Sequence, residues 1–534
     1  MIAIIVWVLR MKEETSSDYF LAGRDAGWVA IGASIFASNI GSEHVVGLAG
    51  AGASTGMAMA HWEMHGWIIL ALGWVFVPFY SRSMVFTMPE FLERRFSPAA
   101  RSFLSIISLV SYVLTKVAVT VYAGGVVFKQ VLGIDTFMGI DFFWIGAIGL
   151  VVVTGLYTIF GGMKAVLYTS LLQTPILLIG SIMILIIGLT ELGGWGELVS
   201  IAGANTTPQG DSLMSLMRSP DDPEFPWTGV MIASPIVGFW YWCTDQYIVQ
   251  RVLSGRNQTE ARRGTIFGAY LKLTPVFIFL IPGLIAFAMN EKGMLNLENA
   301  DAAFPTLVST LLPVGMKGIV VGGLVAALMS SLASLFNSSA MLFTVDFYKK
   351  YRPQASEHQL VRVGRIATAV VVVLGVLWIP VMKGMGQVLY AYLQDVQSLL
   401  APGIAAVFFM GVFWQGATAA GGLAGMVFGF VFGMARLATR IFDFGFNESG
   451  LIHQVIVAPN WLHYCAALFV ACLAVIYIVS QFTEKPTREM LAGLTYGGAS
   501  PEQIAETRAS WTKADVTHSL IIVGFIVAFY LYFW

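Results

Sequence analysis

A polar interruption divides the first long apolar run of the chain. It reads SIFASNIGSEH at residues 34–44 and is followed by glycine-rich GLAGAG at residues 47–52. A second interruption, GFWYWCTDQ at residues 238–246, divides the sixth such run. In many transporters, discontinuous helices expose backbone carbonyls and amides near the bilayer midplane, where the substrate binds. Two interruptions five spans apart predict a five-helix unit that occurs twice with opposite orientation. The alternative is a pair of helices, weakened by Gly and Ser, that only pack closely.

The composition is that of a membrane protein. Of the 534 residues, 57% are hydrophobic and 11% are charged, whereas soluble domains contain about 25% charged residues. A net charge of −1 without a polybasic tract gives a nucleic-acid partner no electrostatic support. The three cysteines form no CxxC motif and no cluster with histidines, so neither a disulfide framework nor a zinc site is expected.

Thirteen apolar runs are long enough for a helix that crosses the hydrocarbon core, which takes about 20 residues. They lie near residues 27–52, 59–81, 101–132, 139–160, 164–189, 229–250, 264–289, 316–345, 363–383, 386–413, 416–438, 460–481 and 516–534. The apolar opening, residues 1–9, is too short to span, and we expect it to be the end of a fourteenth helix that starts upstream of Met1. The pattern predicts an all-α integral membrane protein of 13 to 14 transmembrane helices.

Basic residues set the expected orientation, because Lys and Arg accumulate in cytoplasmic loops. The loops after the second, sixth and eighth runs are basic and carry Arg82, Arg94, Arg95 and Arg101; Arg251, Arg256, Arg262 and Arg263; and Lys349, Lys350, Arg352, Arg362 and Arg365. The loops before the sixth run and after the seventh are acidic. We therefore expect a multi-pass plasma-membrane protein, in a bacterial inner membrane, with basic loops and a linker at residues 482–515 on the cytoplasmic side.

Ionisable side chains at bilayer depth are costly, so each one is a candidate functional group. The predicted spans contain Glu43, His44, Glu63, Lys116, Asp245, Lys272 and Asp395, beside the amides Asn39 and Gln394. His61 and His65 flank the start of a span, which is compatible with an external position.

Four of these polar residues come from four different spans and have aromatic residues nearby in sequence. The polar residues are Glu63, Lys116, Lys272 and Gln394, and the aromatic ones are Trp62, Tyr241, Trp242 and Tyr390. Such a set would suit a sugar, whose hydroxyls need donors and acceptors and whose apolar ring face stacks on aromatic rings. Internal Glu–Lys pairing that holds helices together explains the charged residues equally well.

A stripe of hydroxyl groups follows one face of the eighth apolar run. Ala327, Ser330, Ser331, Ser334 and Ser338 recur at helical spacing. Hydroxyls in an apolar helix often serve only as contacts between helices. The alternative is a site for a hard cation, which prefers neutral carbonyl and hydroxyl oxygens, some of them supplied by an unwound helix nearby.

Two strings resemble the sodium/glucose cotransporters of the sodium:solute symporter family: ASIFASNIGS at residues 33–42 and WYWCTDQYIVQR at residues 240–251. Less specific similarities are MPEFL at 88–92, GAYLKL at 268–273, and YLQ at 392–394 ahead of APG at 401–403. The resemblance covers about residues 17–415 and implies a LeuT-type fold of two inverted five-helix repeats with flanking helices.

The implied organisation divides the chain into five parts. They are a first span and cytoplasmic loop at 1–26, the first repeat at 27–190, an external loop at 191–228, the second repeat at 229–415, and accessory helices at 416–534.

Site residues follow from the resemblance position by position. Sodium would bind the carbonyls of Ala37, Ile40 and Ala327 and the hydroxyls of Ser330 and Ser331. The solute would bind Asn39, His44, Glu63, Lys116, Tyr241, Trp242, Lys272 and Gln394. Leu48, Trp62 and Tyr390 occupy the positions of the outer gate, and Tyr241 that of the inner gate.

The function that this resemblance implies is sodium-coupled import of a monosaccharide, glucose or galactose, by a protein that acts as a monomer. Sodium-coupled transport of myo-inositol, another polyol or a nucleoside is the alternative. An enzyme is not expected, because the sequence has no nucleophile–base pair, metal cluster or catalytic domain.

Two departures from the family pattern bear on stoichiometry and substrate. Members that take a second sodium have Asp at the position of Ser170 and Ser or Thr at that of Ala333, so one sodium per solute is predicted. After Glu63, Met64 and Gly66 replace the Trp and the small polar residue of close sugar carriers.

Overall fold

The computed structural model describes residues 15–41, 43–385, 389–442, 444 and 446–534. The apolar opening at residues 1–9, which the sequence predicts to end a further helix, lies outside this part of the chain, as does Ser42 of the first interruption. The described chain is mainly helical, with one short antiparallel hairpin formed by β1 (Thr136–Phe137) and β2 (Ile140–Asp141).

The helices are numbered in chain order. The α-helices are α1 Ser16–Leu21, α2 Trp28–Asn39, α3 Ala49–Thr55, α4 Ala60–Glu63, α5 Gly66–Ala71, α6 Val77–Ser83, α7 Met88–Arg95, α8 Pro98–Ser111, α9 Ala118–Leu132, α10 Phe142–Leu192, α11 Trp195–Ala204, α12 Trp227–Phe239, α13 Gln246–Leu253, α14 Gln258–Lys272, α15 Ile281–Glu291, α16 Ala303–Leu311, α17 Val314–Met341, α18 Lys349–Tyr351, α19 Glu357–Met385, α20 Leu389–Phe413, α21 Ala419–Ile441, α22 Trp461–Gln481, α23 Arg488–Leu491, α24 Pro501–Ala509 and α25 Lys513–Tyr532. Segments of π-helix occupy Glu43–Leu48, Leu72–Phe76, Tyr112–Val117, Trp240–Thr244, Val276–Leu280, Leu342–Tyr348 and His453–Val457. Short 3₁₀ turns occupy Ala22–Arg24, Gly56–Met59, Ala300–Ala302 and Tyr496–Gly498.

Within the described residues, nine helical segments are long and apolar enough to cross a membrane, against thirteen predicted runs. The difference arises where runs join or divide. Helix α10 covers the predicted spans at 139–160 and 164–189 and bends at Gly162, whose φ of 46° and ψ of −144° are not helical. The run predicted at 101–132 is covered by α8, a π-helical segment and α9 in direct succession, and its described parts count only as the shorter apolar helices Pro98–Ser111 and Val119–Lys129.

Both polar interruptions are breaks in the helices. Helix α2 ends at Asn39, Ile40 takes an extended conformation (φ −80°, ψ 105°), and helical structure resumes at Glu43. Helix α12 continues into a π-helical segment that ends at Thr244; Asp245 is extended (φ −76°, ψ 126°), and α13 follows. Each break leaves backbone N–H and C=O groups without their usual helical partners in the interior of the bundle.

The basic loops meet at one end of the bundle. Arg24 donates a hydrogen bond to the Val85 carbonyl (2.8 Å), and Arg101 pairs with Asp346 (2.7 Å). These contacts join loops that are distant in sequence, as the predicted orientation requires. We call this end of the bundle the basic end.

The linker predicted at residues 482–515 packs against the basic end. It contains α23 and α24, and Arg82 donates to the Gln503 carbonyl at 2.8 Å. Arg263 forms an ion pair with Asp515 at 2.9 Å, at the start of α25. The linker is therefore fixed to the end of the second predicted span and to the start of the seventh.

The acidic loops meet at the opposite end. The Leu216 N–H donates to the Phe533 carbonyl at 2.7 Å, so α25 runs from the basic end to this one. Lys292 pairs with Glu197 at 2.8 Å between two of the acidic loops. The described chain thus has one basic and one acidic end, which is the charge asymmetry of a multi-pass membrane protein.

Two glycines allow α3 and α15 to approach each other closely. A Cβ atom on Gly52 would overlap the Leu280 carbonyl oxygen, and one on Gly283 would overlap the Ala49 carbonyl oxygen. Both obstacles are backbone atoms, which cannot rotate away. The packing of the second half of the first interrupted span therefore requires glycine at these positions.

We predict that Gly283→Ala lowers the free energy of unfolding by about 1–3 kcal/mol, the usual cost of overpacking. Gly322→Ala is the matched control, because a Cβ there meets nothing within 4 Å. Thermal unfolding of both variants in detergent measures the effect. Equal unfolding midpoints for the two variants would contradict the close contact.

Candidate functional site

One cavity lies beside both helix breaks. Its walls come from both interrupted spans, from the segment around α4, from α14 and from α20. The lining residues are Asn39, Glu43, His44, Trp62, Glu63, His65, Val237, Gly238, Tyr241, Trp242, Lys272, Leu393, Gln394 and Gln397. Seven of the eight residues predicted to bind the solute are among them, and Lys116 is not.

A buried ion pair stands in the wall of the cavity. Lys272 Nζ lies 2.5 Å from Glu63 Oε2, and His44 Nε2 lies 3.5 Å from Glu63 Oε1. The Asn39 side-chain nitrogen lies 3.3 Å from the same histidine nitrogen. Four predicted residues from three spans thus form one chain of polar contacts. Because two charges are costly to bury, such a pair needs close geometry and further hydrogen bonds.

Three buried polar atoms of the cavity walls form no hydrogen bond within the described chain. They are Glu43 Oε2, Gln394 Oε1 and Trp62 Nε1. Buried polar atoms in proteins are nearly always paired. Two acceptors and one donor that lack protein partners around one cavity are suited to a solute that carries hydroxyl groups.

Aromatic rings close the cavity on several sides. Trp62 stacks on Trp461 at a centroid distance of 5.8 Å and an interplanar angle of 15°. Tyr241 packs edge-on against Trp242 at 4.9 Å, and the Lys272 ammonium lies 5.4 Å from the Trp242 ring centroid. These rings offer apolar faces against which a solute ring could lie.

The predicted gates are placed as follows. Leu48 is fully buried at the end of the π-helical segment that follows the first break. Trp62 and Tyr241 both line the cavity. The side chain of Tyr390 lies outside the described part of the chain.

Lys116 lies outside the cavity lining, although the family resemblance predicts that it binds the solute. Its ammonium is 2.7 Å from Asp245 Oδ2 and 4.6 Å from the ring centroids of Tyr241 and Tyr247. Tyr112 donates a further hydrogen bond to the same carboxylate. The nearby carboxylate holds the lysine at the second helix break, so the structure gives Lys116 a contact with the wall residue Tyr241 and none with the cavity itself.

The predicted sodium ligands lie where α17 meets the end of α2. Ser331 Oγ lies 3.1 Å from the Ile40 carbonyl oxygen and 3.0 Å from that of Ser38. Ser330 Oγ lies 3.0 Å from Ser170 Oγ, and Ala37 of α2 and Ala327 of α17 are both buried. These groups offer neutral oxygens only, which is the ligand set that hard monovalent cations accept.

The ligand sets predicted from the sequence leave out several groups of this region, among them Glu43, which the sequence named only as an ionisable side chain at bilayer depth. The Ser38 carbonyl joins the sodium-ligand region, while Glu43, His65 and Gln397 line the cavity. His65 was compatible with an external position by sequence, but the helix is interrupted between α4 and α5 and turns it inward, where Nε2 lies 2.7 Å from Ser234 Oγ. The sequence does not reveal this, because side chains two residues apart on a continuous helix, such as Glu63 and His65, point in different directions.

A family model described as the sodium:solute symporter family matches residues 19–429. The chain belongs to this family. It is a sodium-coupled symporter with many membrane-spanning helices, and sodium is one of its two cargoes. Its family and relatives are transporters.

Two relatives and one solved structure illustrate the likeness. The sodium/myo-inositol cotransporter 2 of Oryctolagus cuniculus is 38% identical, over 93% of this chain and 77% of that protein. The sodium/myo-inositol cotransporter of Canis lupus familiaris is 36% identical, over 91% of this chain and 72% of that protein. A structure of a substrate-bound, outward-open Na+-coupled sialic acid symporter superposes with a TM-score of 0.72 at 20% identity, over 91% of this chain and 97% of that one. The predicted LeuT-type fold is confirmed by this likeness.

The ion pair of Lys116 and Asp245 gives a prediction for stability. We expect Lys116→Met and Asp245→Asn each to cost about 3–5 kcal/mol, because each leaves a buried charge without its partner. The double variant should lose less than the two single variants together. Thermal unfolding of the three proteins in detergent measures this.

Lys129→Met is the control for this experiment. Lys129 Nζ lies 3.3 Å from Asp141 Oδ1, and 37% of the lysine side chain and 34% of the aspartate side chain are exposed. Exposed pairs contribute about 0–1 kcal/mol. If Lys116→Met is no less stable than Lys129→Met, the buried pair does not support the second break.

Proposed function

We propose that this symporter imports a cyclic polyol together with one sodium ion, and that it prefers myo-inositol to hexoses. The sequence favoured glucose or galactose and kept myo-inositol as the alternative. The relatives named above support the alternative, because both are sodium/myo-inositol cotransporters at 36–38% identity. The observation that carries the proposal is the set of partnerless polar atoms around one aromatic-walled cavity.

Hydrogen-bond chemistry supports a polyol in this cavity. Each hydroxyl group can both donate and accept. Gln394 Oε1 and the Glu43 carboxylate would accept from solute hydroxyls, and Trp62 Nε1 would donate to one. Every ring carbon of an inositol bears a hydroxyl group, whereas the ring oxygen of a hexopyranose only accepts. An inositol therefore presents a donor on every ring carbon to acceptors such as Gln394 Oε1.

The predicted solute residues receive two kinds of role. Glu63, His44, Lys272 and Asn39 would hold solute hydroxyls through their shared network, while Tyr241 and Trp242 would pack against the ring. Lys116 would act from behind the wall, by fixing Tyr241 and Asp245. Leu48, Trp62 and Tyr390 would close the outer side.

Sodium and solute would be coupled through the first helix break. Asn39 contributes to the polar network of the cavity, and the carbonyl of the next residue, Ile40, lies 3.1 Å from Ser331 Oγ. Sodium bound by Ala37, Ile40, Ala327, Ser330 and Ser331 would hold this break in the conformation that binds solute. Such coupling is reciprocal, so solute must tighten sodium binding by the same factor.

Inward opening would separate α17 from the end of α2 and release the ion. The membrane potential adds roughly 2.3 kcal/mol per charge per 100 mV to import. The basic end of the bundle would face the cytoplasm. We expect the protein to work as a monomer in a plasma membrane, and specifically in a bacterial inner membrane.

The proposed stoichiometry of one sodium rests on Ser170 and Ala333. Ser170 donates to the Val166 carbonyl at 2.6 Å and contacts Ser330, and it supplies a hydroxyl where a second-sodium site needs a carboxylate. Ala333 supplies no side-chain oxygen. A second cation would therefore lack both of its distinguishing ligands.

Uptake into proteoliposomes tests the proposal. With an inward sodium gradient, labelled myo-inositol should accumulate, and glucose and galactose should compete less well than unlabelled inositol. Without sodium, accumulation should fall to the level of empty liposomes. Accumulation of glucose in preference to inositol would overturn the substrate assignment, and accumulation that is independent of sodium would overturn the proposed coupling.

The sodium site is tested by Ser331→Ala. We expect the sodium concentration for half-maximal uptake to rise at least about tenfold, since 1.4 kcal/mol of lost binding corresponds to a factor of ten. Ser339→Ala is the matched control, because Ser339 is buried in the same helix and its hydroxyl has no hydrogen-bond partner within the described chain. Equal sodium dependence in both variants would remove Ser331 from the site.

A further inference from the structure

Glu43 belongs neither to the predicted solute residues nor to the predicted sodium ligands, yet it lies between them. It starts the π-helical segment directly after the first helix break. Its side chain lines the solute cavity, and its Oε2 is buried without a hydrogen-bond partner in the described chain. A carboxylate at this depth is costly unless something compensates its charge.

The carboxylate also approaches the sodium-ligand region. A methyl group placed on Gly41 would overlap Glu43 Oε2 and would lie 3.0 Å from Ser331 Oγ. The two oxygens are therefore neighbours across a residue that has no side chain. Ser331 Oγ is the hydroxyl that reaches the Ser38 and Ile40 carbonyls. Glu43 thus borders both the solute cavity and the place where sodium would bind.

A charge count around the two breaks leaves Glu43 without a cation of its own. Glu63 is paired with Lys272 at 2.5 Å, and Asp245 with Lys116 at 2.7 Å. His44 Nε2 is directed to Glu63 and Asn39. Glu43 is therefore the third carboxylate among the described side chains of this region, and both lysines there are already paired with other acids. Arg251, a further buried cation at the second break, donates to the Tyr247 carbonyl and lies 5.3 Å from the Tyr247 ring centroid. A monovalent cation bound at Ser331 would instead lie close to the Glu43 carboxylate.

We propose that the Glu43 carboxylate is the electrostatic link between the two cargo sites. It attracts the sodium ion held at Ser331 and Ile40, and it accepts a hydrogen bond from a hydroxyl of the polyol. This inference rests on the proposed function and deepens it, because it names a residue that sets how strongly one cargo depends on the other.

The physical consequence is a coupled loss of affinity. Without sodium, the carboxylate is uncompensated and the segment after the break is held less firmly in its binding conformation. With sodium, the carboxylate is neutralised in place and its second oxygen faces the solute. Removal of the charge should weaken sodium binding and should also reduce the factor by which sodium strengthens solute binding.

The test compares Glu43→Gln, Glu43→Asp and the control Glu298→Gln, which changes an exposed carboxylate in an acidic loop. Purified proteins are titrated with sodium in the absence of solute, at constant ionic strength with choline, and their thermal unfolding is followed. Binding of labelled myo-inositol is then measured at low and at saturating sodium. The amount of bound inositol is divided by the amount of folded protein, which is determined by gel filtration.

We expect Glu43→Gln to need about tenfold more sodium for half of the full stabilisation, because it removes a negative charge next to the ion. The ratio of inositol affinities at saturating and low sodium should fall several-fold. Glu43→Asp should lie between Glu43→Gln and the unchanged protein, and it carries the test if the glutamine variant does not fold. Glu298→Gln should match the unchanged protein in both measurements.

Three results would overturn the inference. Sodium titrations of Glu43→Gln and Glu43→Asp within twofold of the unchanged protein would exclude an effect on sodium. An equal loss of inositol affinity at all sodium concentrations would make Glu43 a solute ligand only. Unchanged behaviour of both variants for both cargoes would make it structural. Failure of the proposed function differs from all three, because then the unchanged protein itself shows no sodium-dependent inositol binding.

Discussion

Two broken helices must satisfy their backbone polar groups in the interior of a membrane bundle, and the rest of the structure depends on how they do so. Lipid cannot donate or accept, so irregular backbone at this depth is tolerated only against protein or a water-filled cavity. At the first break, the Ser331 hydroxyl reaches the carbonyls of Ser38 and Ile40. At the second, the Asp245 side chain accepts from the Tyr247 N–H at 3.2 Å and caps α13.

The distribution of charge around the cavity follows from these solutions. A carboxylate that caps a helix inside the bundle needs a cation, and Lys116 supplies it at the expense of a place in the cavity lining. Glu63 is neutralised by Lys272 in the same way. Each lysine is thus paired with one acid, and the third acid, Glu43, has no such pairing among the described side chains. Under the proposal above, the transported cation would compensate its charge.

The sequence predicted the two breaks, the serine face of α17 and most of the cavity, because each depends on residue type and spacing along the chain. The resemblance to a known family supplied the assignment of roles, and the match at residues 19–429 confirmed the family. The division between the predicted spans at 139–160 and 164–189 coincides with the kink at Gly162, whereas the π-helical segments within other spans have no hydropathy signal. The partner of Lys116 and the inward turn of His65 depend on which helices become neighbours, and no local pattern encodes that.

The geometry of the first break also explains how one short segment could couple sodium binding to solute binding. The Ser331 hydroxyl that sodium would use is within hydrogen-bond distance of the Ile40 carbonyl, which sodium would also use, and of the neighbouring Ser38 carbonyl. A carbonyl oxygen has two lone pairs, so an ion could bind the Ile40 carbonyl without displacing its contact with Ser331. It would replace weak hydroxyl–carbonyl contacts by ion–oxygen contacts and tighten the break. Because Asn39 and Glu43 flank that break in the chain, any tightening there fixes their side chains relative to Lys272 and Gln394 across the cavity.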